Sequence, residues 1–438
     1  MRFVIEETNE FITGHAGLAL VGQLLGKMDM KRRLDAVSLP QSSRPEISHT
    51  ENMVSMIGLL SMAKPEYEAI EEFRQDGFFA DALGIKHVPS APTLRQRIEM
   101  VEGRFDRILL EESARLLSNA GVKLTPCHEA LLALDIDVSC FDNSGTKKEG
   151  VSYTYKGFNG YAPVFAYLGA EGYLVNARLK EGKEHCQNGM PVFLRETIEL
   201  ARLVTDAPLL VRLDSGNDSA DNIGVCADKN AEWIIKRNLR NENPDEWLLI
   251  ATVGGKASRP RDGKKVWTGE THLGVEGFEA PLRVVYEVTK RDSDARGQML
   301  LSPEIEVNTW WTSLPDAPDD VIELYHAHGT SEQFHSELKS DMDLERLPSG
   351  KFSANSLVLL LGLVAYNILR MIGQETLRIG LAPTRKTVAR RRIRSVIQDM
   401  IYMACRIVSH ARRIKLKFFA RGAWFPAWNK VYLRFAAT

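Results

Sequence analysis

Cysteine is scarce in this sequence, and no two cysteines have the spacing of a metal or redox motif. Five cysteines are scattered over 438 residues, an odd number, and none forms a Cys-x-x-Cys pair. This pattern argues against a disulfide framework and against a zinc knuckle. We therefore expect a protein of a reducing compartment such as the cytoplasm.

Net charge and long apolar runs are also lacking. The 56 basic and 57 acidic residues nearly cancel, so a polyanion would have to bind at a local patch. The stretch MRFVIEETNEF has acids where a signal peptide needs an apolar core, and the longest apolar stretch, LVLLLGLVAY at 357–366, is too short to span a bilayer. We expect no membrane partner, and we interpret 357–366 as a buried core helix.

One local basic patch is present near the end of the chain. Between Arg385 and Arg421 there are twelve Lys or Arg residues and a single acid, Asp399. The run begins with RKTVARRRIR, which contains Arg390, Arg391 and Arg392. Taken alone it fits a solvated basic helix face as well as a nucleic-acid contact.

Apolar periodicity divides the chain into helical and strand-rich parts. Apolar residues recur at helical spacing before about residue 125, where Ser90 or Thr93 is a candidate helix start. From Leu131 a β meander precedes strands that alternate with helices, which predicts an α/β domain with a mixed sheet flanked by helices. The predicted parts are a helical domain and DNA-binding candidate (1–125), the first part of the core (126–238), an all-β insertion that includes EWLLIATVGG (239–322), the rest of the core (323–375) and a basic helical C-terminal region (376–438).

Two acidic sites stand at strands. In LALDIDVS, alternation places Asp135 and Asp137 on the same face of a strand. Buried carboxylates need a counter-ion, which is either a bound cation or a Lys or Arg side chain in a salt bridge. In LLVRLDSGND, Asp214 ends an aliphatic strand, where it could hold a ligand or simply cap the next helix.

A third site is the polar stretch YHAHGTSEQFHSELKSD at 325–341. Tyr325, Glu332 and Lys339 fall seven residues apart, with His328 between the first two, so a helix would place them near one face. Gly329 and Thr330 suggest a joint or a helix start within the stretch. An ordinary charged surface helix remains an alternative for this stretch alone.

Together the three acidic sites predict a centre for a hard cation. The ligands would be oxygen atoms, with no cysteine and no paired histidines, which suits Mg²⁺ or Mn²⁺. Two such ions roughly 3.5–4 Å apart can activate a water or hydroxyl and stabilise the leaving oxygen of an in-line phosphoryl displacement. Tyr325 and Lys339 could then stack on or pair with a nucleic-acid backbone near the scissile phosphate.

Six sequence blocks carry a family resemblance. In order they are LALDIDVS, KGFNGYAPVFAYLG, GYLVNARLKEG, LLVRLDSGND, YHAHGTSEQFHSELK and LERLPSGKFSANSLVLLLGLVAYNILR. This order resembles bacterial insertion-sequence transposases with a ribonuclease-H-like Asp-Asp-Glu core, in the branch with a β-strand insertion and a Tyr-x2-Arg-x3-Glu-x6-Lys signature. The resemblance implies that the fold is a ribonuclease-H-like core interrupted by that insertion.

The resemblance also implies roles for individual residues. It places the catalytic metal ligands at Asp137, Asp214 and Glu332, with Asp135 competing for the first position. Tyr325 and Lys339 match the ends of the signature, and His328 stands where the signature has arginine. A histidine can donate to a phosphate, but only as a monodentate and pH-dependent contact.

The activity implied by the resemblance is cut-and-paste DNA transposition. Such an enzyme cleaves at terminal inverted repeats and transfers the freed 3′-hydroxyl into target DNA, with two Mg²⁺ or Mn²⁺ ions and two protomers holding two DNA ends in the bacterial cytoplasm at the nucleoid. Three alternatives remain: a nuclease that cuts without joining, an inactive DNA-binding derivative, and a structural ion-pair network in an unrelated protein.

Overall fold

The N-terminal part of the chain is helical, as its apolar periodicity predicts. The computed structural model describes residues 3–39, 46–294, 296–384, 388–410 and 413–437. Ser48 begins α3 with a capping box to Glu51, and Ser90 begins α5 by accepting a hydrogen bond from the Thr93 amide. The helices of this part are α1 (Leu18–Leu25), α2 (Met30–Asp35), α3 (His49–Leu60), α4 (Gly77–Leu83), α5 (Ala91–Val101) and α6 (Asp106–Asn119), with a 3-10 helix at Tyr67–Phe73 and a short strand β1 (Ile12–Thr13).

A twisted mixed sheet follows, as predicted from the change of pattern near Leu131. Its first half contains a meander and two strands that alternate with helices. In chain order this part of the molecule contains β2 (Leu132–Val138), β3 (Phe141–Asp142), β4 (Ser152–Tyr153), β5 (Asn159–Tyr161), β6 (Val164–Leu168), β7 (Tyr173–Arg178), α7 (Met190–Val204), β8 (Leu209–Leu213), α8 (Ala220–Asp228) and β9 (Glu232–Lys236). Strands β3, β4 and β5 form a separate small sheet in the order β3-β5-β4. Strands β2, β6 and β7 are antiparallel neighbours, while β8 and β9 run parallel to β2 on its other side.

Four long strands extend this sheet beyond β9. The order across the nine strands is β10-β11-β12-β13-β9-β8-β2-β6-β7, with β10 (Lys256–Arg261), β11 (Lys264–Leu273), β12 (Leu282–Ser293) and β13 (Met299–Thr312). The segment is not purely β, because EWLLIATVGG lies in helix α9 (Pro244–Gly254) and not in a strand. Asn243 caps this helix through the Asp245 amide, Pro244 occupies its first turn, and Trp247 and Ala251 are buried.

The two faces of the sheet carry different helices. Helices α7, α8 and α9 cover one face, where Leu134 and Ile136 of β2 are buried. The opposite face is covered by α10 (Pro318–His326), α11 (Ser331–Ser336) and α12 (Phe352–Arg378). Residues Asp135 and Asp137 alternate with the apolar residues of β2 and therefore point toward this second set of helices.

Helix α12 is the central helix of the larger core cluster. It packs against β7 and against α3, α5 and α6 of the N-terminal part. It is long and apolar enough to cross a membrane by length and composition alone, but 94% of its most apolar window is buried inside the protein. The interpretation of 357–366 as part of a buried core helix is therefore confirmed.

The C-terminal region is only partly helical, so the prediction of a wholly helical region was wrong. After α13 (Ile393–Val396) the chain forms a hairpin of β14 (Cys405–His410) and β15 (Arg413–Phe418), and it ends in α14 (Phe425–Ala437). Basic and apolar residues alternate in RIKLKF, which is strand periodicity. The hairpin pairs with β1. Arg385, Lys386 and Arg412 of the predicted basic patch lie outside the described residues.

Candidate active site

Strands β2 and β8 bring two aspartates to the same edge of the sheet. The parallel register pairs Asp135 with Arg212 and Ile136 with Leu213, so the next residues along the two strands are Asp137 and Asp214. The carboxyl ends of parallel neighbours meet at one edge. The position predicted for Asp214 at the end of a strand is thus confirmed.

Asp135 is engaged in a buried ion pair with Arg212. It is buried, and its two oxygens accept hydrogen bonds from the Arg212 guanidinium at 2.6 and 2.7 Å. The Nδ1 atom of His328 lies 2.9 Å from the same carboxylate. Burial alone would raise the pKa of Asp135, but Arg212 and His328 outweigh it and lower this pKa below its ordinary value. Of the two counter-ions considered from the sequence, a bound cation or a Lys or Arg, Asp135 has an arginine.

Asp137 has the opposite environment. Its side chain is 23% exposed, and the Val138 amide donates a hydrogen bond of 2.7 Å to it. Burial, joined by the negative charges of Asp214 and Glu332 and opposed by His328, raises the pKa of Asp137 to about 6. The Nδ1 atom of His335 is 3.8 Å from its other oxygen. Burial lowers the pKa of His335 to about 3, so this ring is neutral at pH 7.

Asp214 is held by the turn that follows β8. The amide nitrogen of the buried Asn217 side chain donates a hydrogen bond of 2.7 Å to one carboxylate oxygen. Asp214 makes no side-chain cap to this turn, whereas Ser219 caps α8 through the Asn222 amide at 3.2 Å. The helix-cap alternative for Asp214 was therefore wrong, and its carboxylate remains directed to the cleft.

The stretch 325–341 is not one regular helix. Tyr325 lies near the end of α10, a 3-10 turn spans Ala327–Thr330, and α11 then carries Glu332. Glu332 is exposed at the cleft. His328 faces inward to Asp135 instead of sharing a stripe with Glu332, because the 3-10 turn changes the rotation of the chain. The expectation that His328 contacts DNA is therefore corrected.

The three carboxylates line one cleft of about 670 Å³. Its walls come from β2, the loop between β4 and β5, the end of β8, α11 and the turn after α11. The lining residues include Asp137, Asp214, Glu332, His335, Lys339 and Glu345. Among the described residues, no group of three or more His, Cys, Asp or Glu side chains lies close enough together to hold a metal ion as it stands.

The sequence as a whole matches a known family. The model of the family described as "Transposase DDE domain group 1" matches residues 2–436. This chain belongs to that family. No curated protein matches the sequence significantly. A solved structure, "Cryo-EM structure of piggyBac transposase synaptic complex with hairpin DNA (SNHP)", has 11% identity and a TM-score of 0.40, and the match covers 89% of this chain and 80% of that chain.

Two residues of this DDE transposase that were expected at DNA have intramolecular partners. Lys339 donates a hydrogen bond of 2.5 Å to the Cys140 carbonyl and lies 3.3 Å from Glu345. Tyr325 is partly buried against Trp310, with ring centroids 5.6 Å apart. Burial and the charges of Asp214 and Asp137 raise the pKa of Tyr325. Lys339 lines the cleft, so its phosphate contact stays a prediction.

The three consecutive arginines after Ala389 differ in accessibility. Arg391 is buried, ion-paired with Asp399 and stacked over Trp424 at 4.2 Å, which corrects its expected role as a DNA contact. Arg390 donates to Gln333 at 2.7 Å and lies over the Phe334 ring at 4.3 Å. Arg392 is half exposed and binds Asp341 at 2.8 and 3.0 Å. Arg390 and Arg392 border a groove that includes Glu332, so their DNA contacts remain predictions.

Several site residues were not found from the sequence. Asn217 donates to Asp214, His335 approaches Asp137, and Arg212 fixes Asp135. The LLVRLDSGND motif contains both Arg212 and Asn217 near Asp214, which was a usable signal. His335 follows Glu332 at helical spacing, but its neighbour Asp137 is almost two hundred positions away and only the fold brings these two residues together.

Proposed function

We propose that this chain is an insertion-sequence transposase that cleaves DNA at terminal inverted repeats and transfers the freed 3′-hydroxyl into target DNA. The observation that carries the proposal is the meeting of Asp137, Asp214 and Glu332 at one cleft from β2, β8 and α11. Membership of the DDE transposase family supports phosphodiester chemistry at this cleft. The strand order β7-β6-β2-β8-β9, with a meander followed by two parallel strands, supports a ribonuclease-H-like core with β10–β13 as its insertion.

The donor set fits a divalent cation. All three groups are carboxylates, which Mg²⁺ and Mn²⁺ prefer. The raised pKa of Asp137 reflects burial together with two negative neighbours, so a cation there would relieve an existing repulsion. Lys339, which lines the cleft, is already engaged by Cys140 and Glu345. Asp137, Asp214 and Glu332 would hold Mg²⁺ or Mn²⁺, and one or two such ions would polarise the phosphate and activate the attacking oxygen.

The side chains of the site have separable tasks. Asn217 fixes the rotamer of Asp214, and the Val138 amide fixes that of Asp137. The neutral His335 ring fills the space beside Asp137 without adding a positive charge that would compete with a cation. His328, in the position of the signature arginine, supports the buried Asp135–Arg212 pair. We assign it a positioning role behind the cleft.

The proposed reaction is a hydrolysis followed by a transesterification, and only the second step conserves the number of phosphodiester bonds. In the first step a water oxygen bonds to phosphorus, the bond from phosphorus to the 3′-oxygen breaks, and that oxygen leaves as a hydroxyl. In the second step the same 3′-oxygen bonds to a target phosphorus, whose own 3′-oxygen leaves. Both are in-line displacements and need no external energy source. Two protomers would hold two element ends in the bacterial cytoplasm, at the nucleoid.

The proposal is tested with a plasmid that carries the element from the chain's own locus. The protein is incubated with Mg²⁺ or Mn²⁺, and every broken and joined strand is mapped. We expect breaks at the element ends that leave 3′-hydroxyls, joining of a labelled end to a second plasmid, and loss of both on chelation or in Asp214→Asn. Cleavage without joining would instead indicate a nuclease, and end binding without breakage an inactive derivative.

A further inference from the structure

Two tyrosines on one hairpin are unusually exposed. Tyr153 and Tyr155 each have 67% of their surface exposed, on the β4–β5 hairpin. Single exposed aromatic residues are common and need no function. Their positions relative to the carboxylate cleft differ, however: Tyr155 lines the cleft, whereas Tyr153 is not among the lining residues.

The loop that presents Tyr155 is a tight, hydrogen-bonded turn. The Thr154 amide and hydroxyl both donate to the Phe158 carbonyl, at 2.8 and 2.9 Å, and the Gly157 amide donates to the Thr154 carbonyl at 3.0 Å. Gly157 has φ +88°, a conformation that glycine adopts readily. Thr154 is buried beneath the turn. The turn therefore fixes the position of the residues between Thr154 and Phe158.

The Tyr155 side chain is anchored at its hydroxyl end. This hydroxyl donates a hydrogen bond of 3.3 Å to the carbonyl of Val138, the residue directly after Asp137. The ring itself remains exposed, and the Lys156 ammonium lies 5.4 Å from its centroid. A largely exposed aromatic ring is thus held beside the carboxylates of the cleft, with a cation over one of its faces.

We propose that Tyr155 and Lys156 form a stacking site for an unpaired nucleobase of the DNA strand that enters the cleft. This inference rests on the proposed function, since it assumes that the carboxylates act on a DNA phosphate. When a base stacks on an aromatic face, its phosphate is separated from it only by the sugar and so lies within reach of an adjacent ammonium. Such stacking does not depend on the identity of the base. The site would favour ends whose terminal base pair opens.

The test uses a short duplex with a single-stranded overhang that carries 2-aminopurine at its first unpaired position. Binding is followed by anisotropy, and stacking by quenching of the 2-aminopurine fluorescence, without added divalent ion so that the strand stays intact. The variants are Tyr155→Ala, Tyr155→Phe and, as a matched control, Tyr153→Ala on the same hairpin. A fully paired duplex controls for overall DNA affinity.

We expect quenching in the wild type, in Tyr155→Phe, which keeps the ring, and in Tyr153→Ala. Tyr155→Ala should lose the quenching and bind the overhang about tenfold more weakly, a typical loss for one stacked base, while its affinity for the paired duplex is unchanged. Quenching that survives in Tyr155→Ala, or that falls equally in Tyr153→Ala, overturns the stacking site.

The failure of this inference can be told apart from failure of the proposed function. If plasmid cleavage occurs but Tyr155→Ala quenches like the wild type, only the stacking site is wrong. If the quenching depends on Tyr155 but no divalent ion supports cleavage, only the proposed reaction is wrong. A wild-type protein that binds neither duplex contradicts both.

Discussion

Asp135 and Asp137 show how neighbours decide the role of a residue. The two carboxylates lie two positions apart on the same face of β2, yet the pKa of Asp135 is lowered and that of Asp137 is raised to about 6. Sequence alternation predicts their shared face but not their partners. Arg212 reaches Asp135 only because β2 and β8 pair in one particular register. For that reason the sequence left open which aspartate is the metal ligand.

The contrast predicts opposite effects on stability. Asp135→Asn leaves the buried Arg212 without its counter-ion and should destabilise the chain by about 3–5 kcal/mol. Asp137→Asn removes a charge that burial and the negative charges of Asp214 and Glu332 disfavour, so without divalent ions its stability should equal or exceed that of the wild type. Urea denaturation of both variants measures this. Equal destabilisation by the two substitutions would contradict the assignment.

At the scale of elements, local signals predicted most helices and strands of the core. The errors arose where two patterns competed. EWLLIATVGG has the composition of a strand, but Asn243 and Pro244 before it are helix-start signals. The hairpin β14–β15 lies within a basic run, and its strand alternation covers only two short segments of six residues each. The 3-10 turn between α10 and α11 was signalled only by Gly329 and Thr330.

Helix α11 carries Glu332, and this helix packs on the turn between β6 and β7. Phe334 of α11 is buried against Tyr167, and its ring lies directly over Gly172. A Cβ atom at Gly172 would be 2.3 Å from this ring, and the φ of Gly172 is +71°. Glycine is therefore needed at this turn for both space and backbone conformation.

Gly172→Ala should displace α11 and with it Glu332. We expect a destabilisation of roughly 2–4 kcal/mol from overpacking and the left-handed backbone together. DNA cleavage should fall further than the loss of folded protein explains. The matched control is Gly121→Ala, where φ is +57° but nothing lies within 4 Å of the added methyl, so only the backbone cost of about 1 kcal/mol applies. Equal effects of the two substitutions would argue against the claim that packing of α11 on the Gly172 turn positions Glu332.

For the molecule as a whole, the candidate site exists only in the assembled fold. Asp137, Asp214 and Glu332 are separated by 214 − 137 = 77 and 332 − 214 = 118 positions. Helix α12 packs against both the sheet and the N-terminal helices, which joins the parts into one core. The order of the blocks predicted which residues meet, while the buried pairs behind them required the structure. Cation binding at this cleft would therefore stabilise the whole chain.

The sign of the pH dependence follows from Asp137. Its raised pKa means that, without a cation, the stability contributed by this group is full below the ordinary pKa of an aspartate and is lost as pH rises through about 6. A divalent ion needs the ionised carboxylate, so protons compete with it below that pH. Cation binding should accordingly be strong at pH 7.5 and weaken steeply as the pH falls below about 6.

The most direct test of the central claim is a Mn²⁺ titration followed by electron paramagnetic resonance. It compares the wild type with Asp137→Asn, Asp214→Asn and Glu332→Gln, in the presence of a DNA end and at pH values on both sides of 6. We predict that the wild type binds Mn²⁺ and loses it on acidification, and that each substitution weakens binding by at least about tenfold. Undiminished Mn²⁺ binding in all three variants would contradict the assignment of these carboxylates as the metal site.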